Sequence, residues 1–139
     1  MTTALPNTTK DIIAIAVLLI IVFGISFLQR RPRALNTKYF ETKWQELQKL
    51  CANKATWPLA LINADNLLDE ALKKCHFKGK TMGERLVAAQ RDLSNNDGVW
   101  FGHKLRNQIV HEAGFKLRKR DVQDALVGIR QALKDLKAL

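Results

Sequence analysis

The chain is poor in the residues that build several common kinds of functional site. Its two cysteines, Cys51 and Cys75, have no CxxC spacing, and no Cys/His pattern typical of a zinc site is present. A glycine-rich phosphate loop and a Ser/His/Asp arrangement are also missing. We therefore predict no cofactor and no bound metal. Both cysteines lie in helical patterns, which favours core thiols, with a disulfide as the alternative.

Acidic residues are scarce as well. The chain has 13 of them against 23 lysines and arginines, which gives a formal net charge of +10. Residues 1–28 contain one lysine and one aspartate, so the whole excess belongs to the rest of the chain. Such an excess favours nucleic acid or anionic lipid headgroups as neighbours.

Charge is absent altogether from residues 12–28, an apolar run of 17 residues. As a helix this run would be about 26 Å long, close to the hydrocarbon thickness of a bilayer. Arg30, Arg31 and Arg33 follow it at once, and basic residues mark the cytoplasmic side of an anchor. We therefore predict a single transmembrane anchor, with these arginines near anionic lipid headgroups. The alternative is a cleaved signal peptide, but the usual basic start is missing.

This interpretation divides the chain into four parts and places it in the cell membrane. The N-terminus would lie outside and the C-terminal domain in the cytoplasm. The predicted parts are a short N-terminal tail (1–11), the anchor (12–28), a basic linker (29–36) and one small domain (37–139).

The predicted domain shows helical periodicity and no convincing strand. Apolar residues recur at steps of three and four, and Thr81 to Glu84 has the form of a capping box. We expect an all-α antiparallel bundle of about five helices. The predicted spans are 37–52, 57–75, a helix that opens at Thr81, 100–113, and 120 to the end. The apolar stripe of the last helix either closes the core or pairs with another chain.

The helix predicted over 100–113 carries the most informative residues of the chain. Arg106, Asn107 and His111 lie within one and a half turns, and His103 stands four residues before Asn107 on the same stripe. These are groups that bind phosphate and move protons. An imidazole ordinarily titrates near neutral pH, which suits it to general acid–base chemistry.

The opposite face of this helix is apolar. Phe101, Leu105 and Ile109 follow one another at steps of four, so we expect this row to face the core. The polar stripe would then be free to meet a ligand or a partner.

The pattern Arg–polar–x-x-x-His on a late helix of a helical bundle resembles the HEPN family. Arg106, Asn107 and His111 fit the family signature. The earlier sequence Ala64-Asp65-x-x-Leu68-Asp69 is also similar to bacterial members. The resemblance covers residues 37–139.

The resemblance implies a function and a partner. Many HEPN domains are metal-independent endoribonucleases that dimerise and bring two copies of the motif together. It implies that Arg106 holds the scissile phosphate, that His111 moves a proton and that Asn107 orients one of them. RNA and a second copy of the chain would be the partners. The alternative is a non-catalytic, membrane-anchored interaction or nucleotide-binding module.

Further polar residues are candidates for binding RNA or phosphate. For the basic run the alternative is a solvated surface, and for His103 it is a solvated histidine or one that packs between helices. The candidates are His103, Lys104, Arg118, Lys119 and Arg120.

Asp65 and Asp69 share a helix face. We expect them to form a solvated ion-pair ladder with Lys73, and a cation site is the alternative.

Overall fold

The computed structural model describes residues 7–29 and 34–139, and every regular element within these ranges is helical. The described residues fall into two compact units, one holding the first helix and the other the remaining five. The elements are α1 (Asn7–Gln29), α2 (Thr37–Leu50), a 3-10 turn (Lys54–Thr56), α3 (Trp57–Lys74), α4 (Met82–Ala89), α5 (Asn96–His111) and α6 (Lys119–Asp135). The predicted all-α bundle of five helices is confirmed by α2 to α6.

The predicted membrane anchor over residues 12–28 is wrong. In the part of the chain that the structure describes, no helix has both the length and the apolar character that crossing a membrane requires. The uncharged run has 17 residues, and its length of about 26 Å is shorter than the ~30 Å hydrocarbon core. The predicted single-pass localisation, with a cytoplasmic C-terminal domain, depended on that anchor and is therefore also wrong. Arg30, Arg31 and Arg33 lie outside the described residues.

Side-chain caps determine where the bundle helices begin. The Thr81 hydroxyl accepts a hydrogen bond from the backbone N–H of Glu84, so the predicted helix start is confirmed. The Glu84 carboxylate accepts in return from the N–H of Lys80, one residue before the cap. The next helix was predicted to begin at residue 100, but Asn95 caps α5 by accepting from the N–H of Gly98. α5 therefore begins four residues earlier than expected.

The core is built around α3, which contacts α2, α4, α5 and α6. The predicted apolar stripes account for most of it, and its largest fully buried side chains include Phe40, Leu61, Leu68, Leu72, Leu86, Ile129 and Leu133. Cys51 and Cys75 are half-buried free thiols, and burial raises the pKa of each. The core-thiol interpretation is thus favoured over the disulfide.

α5 and α6 pack antiparallel with their backbones unusually close. A Cβ atom on Gly128 would collide with the backbone of Gly98, and one on Gly102 would lie 3.0 Å from Ile129 Cδ1. Farther along α5, Leu105 packs beside Val122 of α6. The close approach fixes the face that α5 turns towards the core.

The predicted apolar row of α5 is only partly correct. Leu105 is buried and Ile109 packs against the smaller of the two apolar clusters, but Phe101 is 40% exposed. The buried face is centred on Val99, Gly102 and Leu105, because α5 is rotated to bring its glycines against α6.

Candidate functional site

The polar stripe of α5 meets a buried carboxylate of α3. The Asp65 side chain is only 3% exposed, because it lies on the buried stripe of α3, four residues after Leu61 and three before Leu68. A buried carboxylate requires hydrogen-bonding or charged partners. His103 and Arg106 of α5 supply them.

Four side chains form a closed polar ring between α3 and α5. Asp65 Oδ1 lies 3.0 Å from His103 Nδ1, and His103 Nε2 lies 3.3 Å from Asn107 Nδ2. Arg106 Nη1 donates to Asn107 Oδ1 at 3.1 Å. Arg106 Nε lies 3.5 Å from Asp65 Oδ2, and this contact closes the ring. We call these four residues the Asp65 ring.

The hydrogen bonds of the Asp65 ring assign the proton positions on its members. Asn107 turns its carbonyl oxygen to the Arg106 guanidinium, so its amide N–H groups face His103. His103 Nε2 must therefore accept, and Nδ1–H donates to the Asp65 carboxylate. In this pattern the two ring nitrogens of His103 have different roles, with Nδ1 facing the carboxylate and Nε2 facing the amide.

The weakest link of the ring is the contact between Arg106 and Asp65. Arg106 Nε is buried and has no aligned acceptor, so the 3.5 Å contact is an ion pair and not a well-formed hydrogen bond. The Arg106 side chain as a whole is 27% exposed. Part of the guanidinium therefore reaches the surface while its inner edge faces Asp65.

His111, the second half of the motif, lies at the C-terminal end of α5 and is exposed. It makes no hydrogen bond or ion pair with the described residues. Residues four apart share a helix face, so His111 follows Asn107 along the stripe. Lys104 is also exposed on α5. The structure thus joins Arg106, Asn107 and His103 directly and leaves His111 beside them at the surface.

The basic run at the start of α6 is largely engaged within its own helix. Arg118 makes two hydrogen bonds to Asp121, at 2.7 and 3.0 Å. Arg120 lies 3.7 Å from Asp124. Lys119, which is exposed, has no such partner among the described residues. Asp121 and Asp124 therefore offset part of the positive charge of residues 118–120.

A second polar cluster surrounds Asp69, one turn beyond Asp65 on α3. Arg85 of α4 donates to Asp69 Oδ1 through Nε at 2.7 Å and to the carbonyl oxygen of Gly79 at 2.7 Å. Lys73 Nζ lies 2.7 Å from Asp69 Oδ2. Burial raises the pKa of Asp69, but the hydrogen bonds from Lys73 and Arg85 outweigh it and hold the pKa below its ordinary value. We call Asp69, Lys73, Arg85 and Gly79 the Asp69 cluster.

The predicted ion-pair ladder is therefore half correct. Lys73 pairs with Asp69 as expected, whereas Asp65 is buried and belongs to a different network. Both carboxylates already face positively charged or N–H-donating side chains, which disfavours the cation site. The burial of Asp65 and its contact with α5 were not predicted from the sequence. The available signal was an aspartate at a core position of the stripe that contains Leu61 and Leu68.

Two surface grooves lie away from this site. Both adjoin α2 and α3, where they share Tyr39 and Glu70 in their walls, and neither includes Arg106 or His111. The motif lies on an open helix face. An open face suits an extended polyanion better than a small enclosed ligand.

Comparison with known proteins leaves the site to be interpreted from its own geometry. No protein-family model, curated protein or solved structure matches the chain.

Proposed function

We propose that the helical bundle binds RNA and cleaves it without a metal, with Arg106 and His111 of α5 as the reacting groups. The observation that carries the proposal is the arrangement of the stripe. Arg106 is held on its inner side by Asp65 and Asn107, while His111 on the same helix is exposed. The resemblance of this motif to HEPN endoribonucleases supports the same assignment.

Arg106 is suited to hold a phosphate. Its guanidinium has five N–H donors, of which the ring engages one well and faces a second with Asp65. The remaining donors are available for a phosphate oxygen, and guanidinium–phosphate pairs are commonly bidentate. Fixing the inner edge reduces the side-chain entropy that binding would otherwise remove.

His111 is suited to move the proton. In RNA cleavage by transesterification, the 2′-hydroxyl loses its proton to a base and its oxygen attacks phosphorus. The bond to the 5′-oxygen then breaks and that oxygen takes up a proton. The products are a 2′,3′-cyclic phosphate and a 5′-hydroxyl. One His111 would act as the base, and the His111 of a second copy would act as the acid.

The charge of the chain supports an anionic substrate. The formal net charge of +10 lies in residues 29–139. Lys104 is exposed on α5, and Lys119 is exposed at the start of α6. Such an excess attracts polyanions, and binding should weaken as salt is raised.

The test uses the 139-residue chain with mixed RNAs in EDTA. We expect 2′,3′-cyclic phosphate and 5′-hydroxyl ends, and the His111→Asn variant should lose about 100-fold or more in rate, as expected for removal of a general acid or base. His76→Asn is the matched control. His76 is also exposed and has a left-handed backbone (φ 63°) that asparagine tolerates.

Two results would contradict the proposal. One is cleavage that persists in His111→Asn, which would remove His111 from the reaction. The other is a folded wild-type chain that leaves RNA intact. RNA binding without cleavage would instead favour the non-catalytic binding module.

A further inference from the structure

We propose that buried Asp65 is a positioning residue, which aims the Arg106 guanidinium through the ring that also contains His103 and Asn107. The inference rests on the proposed RNA cleavage for its catalytic consequence. It adds a residue of α3 to a site that the motif places wholly on α5.

The first argument is the burial of Asp65. Its side chain is 3% exposed and lies on the core stripe of α3, where an apolar residue would pack without any need for a partner. A carboxylate there must be compensated, since an unpaired buried charge is strongly unfavourable. It therefore selects the side chains that approach it, His103 and Arg106.

The second argument is that two independent routes lead from Asp65 to Arg106. One is the direct contact between Asp65 Oδ2 and Arg106 Nε at 3.5 Å. The other passes from Asp65 Oδ1 through His103 to Asn107, whose carbonyl oxygen accepts from Arg106 Nη1. Nε and Nη1 of the Arg106 guanidinium are thereby held by the ring. The side of the guanidinium that faces away from the ring is left for a phosphate.

The third argument is the chemistry of a carboxylate at this position. Its two oxygens serve different partners: Oδ1 accepts from His103 Nδ1–H, and Oδ2 faces the positively charged Arg106 Nε at 3.5 Å. An amide of the same shape has only one acceptor oxygen. In Asp65→Asn one of the two partners would meet an NH₂ group, so the ring would open beside Arg106.

The chain supplies a matched control in Asp69. Asp69→Asn lies on the same helix and makes the same change in net charge, but Asp69 contacts Lys73 and Arg85 and not the ring. Each substitution removes one negative charge, which would strengthen RNA binding if it acted through charge alone. A slower reaction in Asp65→Asn alone must therefore come from geometry.

The experiment compares wild type, Asp65→Asn, Asp65→Glu and Asp69→Asn. Cleavage is measured at a temperature at which all four are folded. We expect kcat to fall about 100-fold in Asp65→Asn, as for a misplaced binding group, with KM little changed. Asp65→Glu, which keeps both acceptor oxygens, should recover part of the rate. Asp69→Asn should stay within about twofold of wild type.

A second readout does not depend on cleavage. The ¹⁵N NMR signal of Arg106 Nε and the tautomer of His103 report the ring directly. Both should change in Asp65→Asn and remain as in wild type in Asp69→Asn. An unchanged Arg106 signal in a folded Asp65→Asn variant overturns the inference, as does wild-type kcat in that variant.

The two proposals fail in different ways. If the wild-type chain does not cleave RNA, the proposed function fails, and the NMR comparison still decides whether Asp65 positions Arg106. If the wild-type chain cleaves and Asp69→Asn is slowed as much as Asp65→Asn, the positioning role fails and the proposed function stands.

Discussion

Asp65 and Asp69 lie one turn apart on α3, yet their surroundings differ in kind. Asp69 faces two cationic side chains, Lys73 and Arg85, and Arg85 is itself satisfied by the Gly79 carbonyl oxygen. Asp65 faces the imidazole of His103 and one guanidinium whose Nε lacks an aligned acceptor.

The difference separates a structural ion pair from a site. In the Asp69 cluster the buried arginine is only 7% exposed and its donors are directed inwards, where they join α4 to α3. In the Asp65 ring the arginine is 27% exposed and part of it faces outwards. A group that is bound on one side and open on the other can recognise a ligand. A group that is satisfied on every side contributes mainly to stability.

The largest expected effect is on folding and comes from Arg85→Ala. It would leave the Asp69 carboxylate and the Gly79 carbonyl without their main donor, and breaking a buried ion pair in this way destabilises by about 3–5 kcal/mol. Arg106→Ala should cost less, about 1–2 kcal/mol, because its contact with Asp65 is poorly aligned. Urea unfolding of both variants measures the difference. An equal loss of stability would remove the distinction between the two clusters.

A smaller effect is expected in the pH dependence of stability. The pKa of Asp69 in the folded state lies below its ordinary 3.8, so its ionised form stabilises the fold. That stabilisation is fully present above the ordinary pKa and is lost as the pH falls through the folded value. Asp69→Asn should be less stable at pH 7 but lose less on acidification. Unfolding curves from pH 7 to pH 2 measure this.

Two further carboxylates make the acid experiment specific. Burial raises the pKa of Asp135, but hydrogen bonds from the Ser94 backbone and side chain and from Gln131 lower it overall. Asp135→Asn should therefore also reduce the loss of unfolding free energy between pH 7 and pH 2. Asp124→Asn, in an exposed pair with Arg120, should follow the wild-type curve. If Asp69→Asn lost as much stability on acidification as wild type, the pairing of Asp69 with Lys73 and Arg85 would not stabilise the fold.

The smallest effect is expected at the start of α6. The Arg118 side chain is 80% exposed and pairs with Asp121 at the surface, where water and salt screen the charges. Arg118→Gln should leave the urea midpoint within error of wild type at moderate salt. A clear loss of stability there would mean that exposure is a poor guide to the strength of ion pairs in this bundle.

The helices of the bundle could be predicted because each leaves a local signal. Steps of three and four identified the buried faces of α2, α3, α4 and α6, and the Thr81 capping box located the start of α4. The start of α5 was misplaced because loop-forming asparagines also cap helices, as Asn95 does. Local chemistry alone does not separate these two roles.

The networks could not be predicted because their partners are distant in sequence. Asp65 meets His103 across 38 positions, and Asp69 meets Arg85 across 16. Periodicity shows that Asp65 shares the stripe of Leu61 and Leu68, but not which residues of another helix will face it. The anchor predicted over 12–28 failed for a different reason: its uncharged composition indicated a membrane span, but no helix among the described residues is both long and apolar enough to cross a membrane.

The close contact between Gly98 and Gly128 near the start of α5 also affects where the other end of that helix lies. His111 is 13 residues farther along, a distance of about 20 Å at the helical rise. A side chain at Gly128 would collide with the backbone of Gly98. If α5 moved to relieve the collision by tilting, the displacement would grow along its length. Two residues without side chains therefore set the position of an imidazole that neither of them contacts.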